Sequence, residues 1–202
     1  MSPIRRWPGP AVLAAMWGFA LAVFRRLPAE VPTHWNLHGV ADGWMPRFPG
    51  AFALPAVATA VWLLTAFQSR FDPYRGEVER STPTRVLITE IVVVFMAALE
   101  GVTVGIAMGW PIEMSRVMWP ATGLLLVAIG NFLPRVRRNW FIGVRTPWTL
   151  SSEAVWRTTH RVAGWTLVGA GLAVAAAGFL PEGARPWVAL GALAVAAVVP
   201  VG

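Results

Sequence analysis

Six apolar stretches, each close to the length of a bilayer crossing, set what this 202-residue chain can fold into. A helix needs about 20 mostly apolar residues to span the hydrocarbon core. Residues 8–24, 50–68, 85–109, 116–133, 162–180 and 186 to the end meet or approach that requirement. Charge is confined to the short segments between them. The chain is 56% hydrophobic and only 13% charged, whereas a water-soluble globule carries about 45–50% apolar and about 25% charged residues. So few charges cannot cover so much apolar surface in water. The expected fold is an all-α integral membrane protein, a bundle of about six transmembrane helices whose first partner is the lipid bilayer. The first stretch is not followed by the usual small-residue cleavage site and reads as a retained span.

The net charge of +7 comes from arginine alone among the basic residues. These arginines sit at the ends of apolar stretches and not on one soluble face, so direct nucleic-acid binding is not expected. Twelve of them fall in the N-terminal segment and the loops after the second and fourth stretches, and five fall on the other side. Arginine-rich loops stay in the cytoplasm. The expectation is therefore a multi-pass protein with both termini cytoplasmic. With no cysteine, disulfides and thiolate chemistry are excluded.

Small residues at four-residue spacing let helix backbones approach closely in lipid. Ala97, Gly101, Gly105 and Gly109 form one such series, and Gly169, Ala173 and Ala177 another. Both predict helix–helix packing.

Two loops carry most of the remaining information. The first runs from Leu27 to Trp44, on the side opposite the termini, and is punctuated by proline and glycine. His34, His38 and Asp42 are spaced by four. One helical turn after Pro32 would place the two histidines on one face, and two imidazoles with a carboxylate can bind zinc. Gly39 would interrupt such a helix. A structural loop, with Asp42-Gly43 as a turn, and a peptide- or ligand-recognition loop stand beside the metal reading. The second loop runs from Asn139 to Gly164 on the side of the termini. Pro147 predicts an extended Thr146. Ser151 or Ser152 is a candidate cap for a helix with Glu153 in its first turn. Glu153 and Arg157 form an i, i+4 pair, and Trp156 and His160 share another face. The segment reads as an interfacial helix with Trp140, Trp148 and Trp156 at headgroup depth, either as an anchor or as a cytoplasmic docking surface.

Three polar residues interrupt the apolar stretches. Glu90, near the cytoplasmic end of the third, is expected to pair with a loop arginine. Glu100 lies deeper and must face the bundle, stay neutral or find a partner. Asn131 lies in the fourth. Glu100 is either a functional carboxyl or a structural hydrogen-bonding group. No phosphate-binding glycine loop, nucleophile elbow or zinc-protease pair is present, and no residue qualifies as catalytic.

The two loops together resemble the SdpI family of membrane immunity proteins. Pro32, His34, Trp35, Asn36, Gly39, Asp42 and Gly43 match the mark of its N-terminal DUF1648 module. Asn139, Gly143, Arg145, Thr146, Pro147, Trp148, Thr149, Leu150, Trp156, His160, Arg161 and Gly164 match that of its C-terminal module. The resemblance implies two membrane modules, residues 1–110 and 111–202. It also implies six spans in the bacterial plasma membrane, a secreted antimicrobial peptide as the partner outside and a cytoplasmic regulator as the partner inside. The expected ligand-binding residues are His34, Trp35, Asn36, Asp42, Glu100, Asn139, Arg145, Thr146, Trp148, Trp156, His160 and Arg161. The metal set would be His34, His38 and Asp42, with zinc the only cofactor considered. Two other functions are weighed beside immunity or sensing: a transporter or channel lined by Glu90, Glu100 and Asn131, and a membrane metalloenzyme using the His34–Asp42 loop, with Glu30 as a further ligand.

Overall fold

The computed structural model describes residues 8–200. Six main helices follow the six apolar stretches: α1 (Gly9–Val23), α2 (Arg47–Phe67), α4 (Thr82–Ala107), α5 (Met114–Phe132), α7 (Glu153–Ala177) and α8 (Arg185–Val198). Two short helices, α3 (Arg75–Arg80) and α6 (Pro147–Ser151), lie between them. Among the described residues three continuous helical segments are long and apolar enough to cross a membrane: 47–70, 82–107 and 114–135. The helix α8 is apolar but shorter. Pro83 and Pro186 each sit at a helix start, where the missing N–H has no intrahelical partner to lose.

Among the described residues the only strands lie in the first information-rich loop. It folds as an antiparallel hairpin, β1 (Glu30–Trp35) and β2 (Ala41–Pro46), with Val31 opposite Met45 and His34 opposite Gly43. Extended backbone wins over a helical turn here because Pro32 and Gly39 disfavour helix. Asn36 also supplies a local alternative: its Oδ1 accepts the N–H groups of His38 at 3.0 Å and Val40 at 3.1 Å. Gly39 takes the positive φ that this turn requires, +79°. The hairpin is fastened to the bundle by Val31, which is fully buried with Val23, Leu27, Ala51 and Val104.

Packing divides the helices into two groups. The helices α1, α2 and α4 enclose a second apolar cluster of Leu13, Met16, Ala58 and Val93. In the other group α7 packs against both α5 and α8, and α4 and α5 join the groups. The closest helix–helix approach is α5 on α7. A Cβ added to Gly130 would lie 2.8 Å from the Gly164 carbonyl, and one added to Gly171 would lie 2.6 Å from that of Gly123. The expected small-residue series therefore do not mark this contact. Gly101, Gly109 and Gly169 have nothing within 4 Å of a Cβ position, and Gly105 faces Trp110 and Ile112 of the adjoining turn. The four-residue spacing holds for Ala97, which packs on the α1–α2–α4 cluster, and for the fully buried Ala177, but not for Gly101, Gly109 and Gly169. Gly123 and Gly130 of α5, and Gly164 and Gly171 of α7, repeat every seven residues instead, and they meet in antiparallel order, Gly130 with Gly164 and Gly123 with Gly171.

Candidate functional site

At the hairpin end, β1 and its turn roof a cavity of about 490 Å³ whose walls come from α2, α4 and α5. Leu54, Val57, Leu99, Met114, Met118 and Trp119 give it a mainly apolar lining. Thr33, His34, Asn36, Thr103, Ser115 and Thr122 add a few polar groups. Such a volume, apolar with a few placed polar groups, is that of a small-ligand or side-chain site. Trp35 also lines it, so three of the predicted residues, His34, Trp35 and Asn36, share one wall.

His34 Nδ1 lies 2.5 Å from Asp42 Oδ1 across the two strands, and both side chains are well exposed. Asp42 therefore orients the His34 ring. The expected metal trio does not assemble. His38 lies in the turn that Asn36 closes, and no group of three or more metal-ligating side chains exists among the described residues. The reading required a helical turn, and the strand pairing removes it.

The opposite end carries the second loop. Here the predicted residues are mostly architectural. Asn139, fully buried, uses both ends of its amide: Oδ1 accepts from Phe141 and Ile142, and Nδ2 donates to the carbonyls of Arg137 and Ile142. Thr146 is extended and caps α6 reciprocally with Thr149. Ser152 caps α7, and Glu153 in its first turn pairs with Arg157 and with Arg137. Trp156 is not an exposed anchor. It is 1% exposed, donates its indole N–H to the Val136 carbonyl at 2.9 Å, and packs with Ile88 and Val136. The helical spacing put it on the inner face of α7. Trp140 and Trp148 are half exposed, as anchors require.

His160 stacks on Trp156 with ring centroids 3.9 Å apart. It lies before the apolar part of α7, which begins at Val162. Its Nδ1 donates to the Trp156 carbonyl at 2.8 Å, and its Nε2 accepts the Val144 N–H at 3.1 Å. Both nitrogens are thus used by the neutral ring. Burial pushes its pKa below the ordinary value, with the Trp156 hydrogen bond acting weakly the other way. Arg145 donates to the Trp140 carbonyl, and Arg161 is exposed.

Residues between α2 and α4, which sequence reasoning did not single out, tie this loop to the first helix group. Asp72, 5% exposed, accepts the N–H of Tyr74 through Oδ1 at 2.8 Å and of Trp140 through Oδ2 at 2.9 Å. The Tyr74 hydroxyl donates to the Leu150 carbonyl at 2.7 Å, and Arg138 lies over the Tyr74 ring, 4.4 Å from its centroid. Arg85 is buried beside them, with Asp72 the charge that acts on it. Nothing local in the sequence signals that Asp72 meets Trp140, 68 positions away.

The intramembrane polar residues divide. Glu100 is 3% exposed with Oε1 unpartnered among the described residues. It does face the bundle, though it is not among the residues that line the cavity. Glu90 pairs with no arginine among the described residues. It accepts from the Trp62 indole at 3.3 Å and lies against Gly9, at the start of α1. Asn131, on α5 one residue before its end, is exposed. The three do not line one path.

The hydropathy of the helices, their small-residue seam and the polar platform at one end define a multi-pass α-helical membrane protein. The SdpI/YfhL protein family model matches residues 135–202, and the domain of unknown function DUF1648 matches residues 11–59. The chain is 24% identical over 160 residues to the Immunity protein SdpI of Bacillus subtilis (strain 168), covering 79% of this chain and 74% of that protein. No solved structure matches. Over these segments the chain is similar to the SdpI family, and the matches together support that family.

Proposed function

We propose that the protein is a bacterial plasma-membrane immunity protein that binds an apolar secreted peptide in the cavity beneath the hairpin. The carrying observation is that cavity. It joins His34, Trp35 and Asn36 to an apolar pocket in the membrane helices, so a ligand gains polar recognition at the surface and apolar burial below it. The similarity to the Bacillus immunity protein supports the peptide class. The arginine distribution supports an orientation with the hairpin outside and the Asn139–Gly164 loop inside, both termini cytoplasmic. In that orientation the Asp72–Trp140 platform is the surface offered to a cytoplasmic regulator, with Arg145, Trp148 and Arg161 exposed on it.

The test is survival of a peptide-sensitive bacterial host with and without this chain. Expression should protect against at least one apolar secreted peptide, and Val57→Trp, which fills the cavity, should remove protection at unchanged membrane abundance. Protection that persists with the cavity filled would move the site elsewhere.

A further inference from the structure

The cavity has two properties that the peptide reading does not use. The first is its depth. Val57 lies ten residues into α2 and Thr122 eight residues into α5, which at 1.5 Å per residue is about 15 Å and about 12 Å below the hairpin ends of those helices. Half of a hydrocarbon core is about 15 Å. The pocket therefore spans most of one leaflet. The second is its sideways opening. Val57 is 51% exposed although it sits near mid-helix, and Met45 and Leu37 at the rim are 41% and 51% exposed. A wall residue exposed at that depth faces lipid and not water.

A polar anchor stands at the same rim. Arg185, at the start of α8, donates from Nη1 to Ser115 Oγ at 3.4 Å, and Ser115 lines the cavity. Its Nε donates to the Leu180 carbonyl at 2.8 Å, which fixes the guanidinium with its remaining donors uncommitted. Arg116 stands next to Ser115 and is paired with Glu113. The polar groups of the hairpin, His34 and Asn36, complete the rim.

We infer that a phospholipid of the hairpin-side leaflet occupies this cavity, with an acyl chain along Val57, Leu99 and Met118 and its phosphate on Arg185. The three methionines of the lining, Met45, Met114 and Met118, suit a flexible apolar guest because an unbranched thioether adapts its shape. A guanidinium forms bidentate, charge-assisted hydrogen bonds to phosphate. The charge sign thus favours a phosphate-bearing lipid over an apolar peptide alone. This inference rests on the same cavity as the proposed function and assigns its occupant when peptide is absent. Peptide then has to displace lipid, so its apparent affinity falls as lipid binding strengthens.

The experiment is native mass spectrometry of the full chain, released from membranes in mild detergent, with extraction and identification of the bound lipid. Wild-type protein is expected to carry one phospholipid. Val57→Trp should lose it by exclusion. Arg185→Gln, which leaves the cavity open, should lower retention roughly tenfold, the scale of one charge-assisted hydrogen bond. Bare wild-type protein, or retention equal in all three proteins, overturns the inference. Should Val57→Trp fail to accumulate, Arg185→Gln alone decides it. A chain that protects no host yet retains lipid at Arg185 would refute the immunity reading and leave this one standing.

Discussion

Trp140 donates its backbone N–H to the Asp72 carboxylate at 2.9 Å, joining two loops 68 positions apart in the chain. The other carboxylate oxygen holds Tyr74, whose hydroxyl reaches on to Leu150. One buried acid thus fixes the loop between α2 and α4 to the loop between α5 and α7. The platform at this end is a single folded unit built from both halves of the sequence.

Removing that carboxylate should loosen the platform without unfolding the helices. Asp72→Ala leaves two N–H groups without acceptors and Arg85 without its counter-charge. An orphaned buried donor costs about 1–3 kcal/mol. The expected result is a lower thermal midpoint in detergent and faster proteolysis at Arg145 and the exposed arginines near it. Asp72→Asn keeps one acceptor oxygen and should fall between wild type and alanine. A cleavage pattern unchanged in Asp72→Ala would show that the apolar cluster of Ile88, Val136 and Trp156 holds the loop by itself.

His160 gives the platform a pH dependence whose sign is fixed by its surroundings. Its folded pKa lies below the ordinary value of 6.5 because burial disfavours the charged ring. Above that value both folded and unfolded chains hold the neutral ring and nothing changes. As pH falls below it the unfolded chain takes up the proton first. Stability is then lost at up to about 1.4 kcal/mol per pH unit until the folded pKa is passed. Melting curves from pH 7.5 to 5 should show this loss, and His160→Gln should flatten the part that His160 contributes. Gly143 belongs to the same arrangement. It has φ +106°, and a Cβ there would collide with His160 Nε2, so Gly143→Ala should destabilise at every pH.

The seam between α5 and α7 makes an internal control possible. Gly130→Ala places a methyl 2.8 Å from the Gly164 carbonyl and 2.9 Å from the Val168 nitrogen. Overpacking of this kind costs about 1–3 kcal/mol. Gly101→Ala and Gly169→Ala meet nothing within 4 Å and should be neutral, or stabilising by about 0.5–1 kcal/mol from backbone entropy. Thermal midpoints of the three variants in one detergent check the contrast.

These cases show how much was legible before the structure. The positions of the six main helices followed from hydropathy, because lipid demands long apolar runs with internally paired backbones. The extended Thr146 and the cap at Ser152 were legible because both are local chemistry. Which face of a helix packs was not: four-residue spacing of small residues fits several faces, and only the partner helix selects among them. That is why Gly101 was chosen and Gly130 missed. The histidine loop failed for a related reason. Regular spacing of His34, His38 and Asp42 means convergence only on a helix, while a hairpin brings together residues at spacings set by its turn. The cavity was invisible, since Val57, Leu99, Met118 and His34 share nothing along the chain.

The His34–Asp42 pair offers the sharpest separation of recognition from stability. Both side chains are exposed, 73% and 42%, and exposed pairs contribute about 0–1 kcal/mol. The hairpin does not depend on them, because Val31 and the Asn36 turn hold it. His34→Ala and Asp42→Asn should therefore leave the thermal midpoint almost unchanged. Under the proposed function each should weaken protection, since His34 lines the cavity wall and Asp42 orients its ring. Asn36→Ala should lower both stability and protection, because two turn N–H groups lose their acceptor. Measuring survival against thermal midpoint for the three variants places each residue. Loss of protection in His34→Ala without loss of stability marks a ligand contact. Parallel loss of both in all three would mean that the hairpin acts only as a lid, its side chains serving its shape and nothing more.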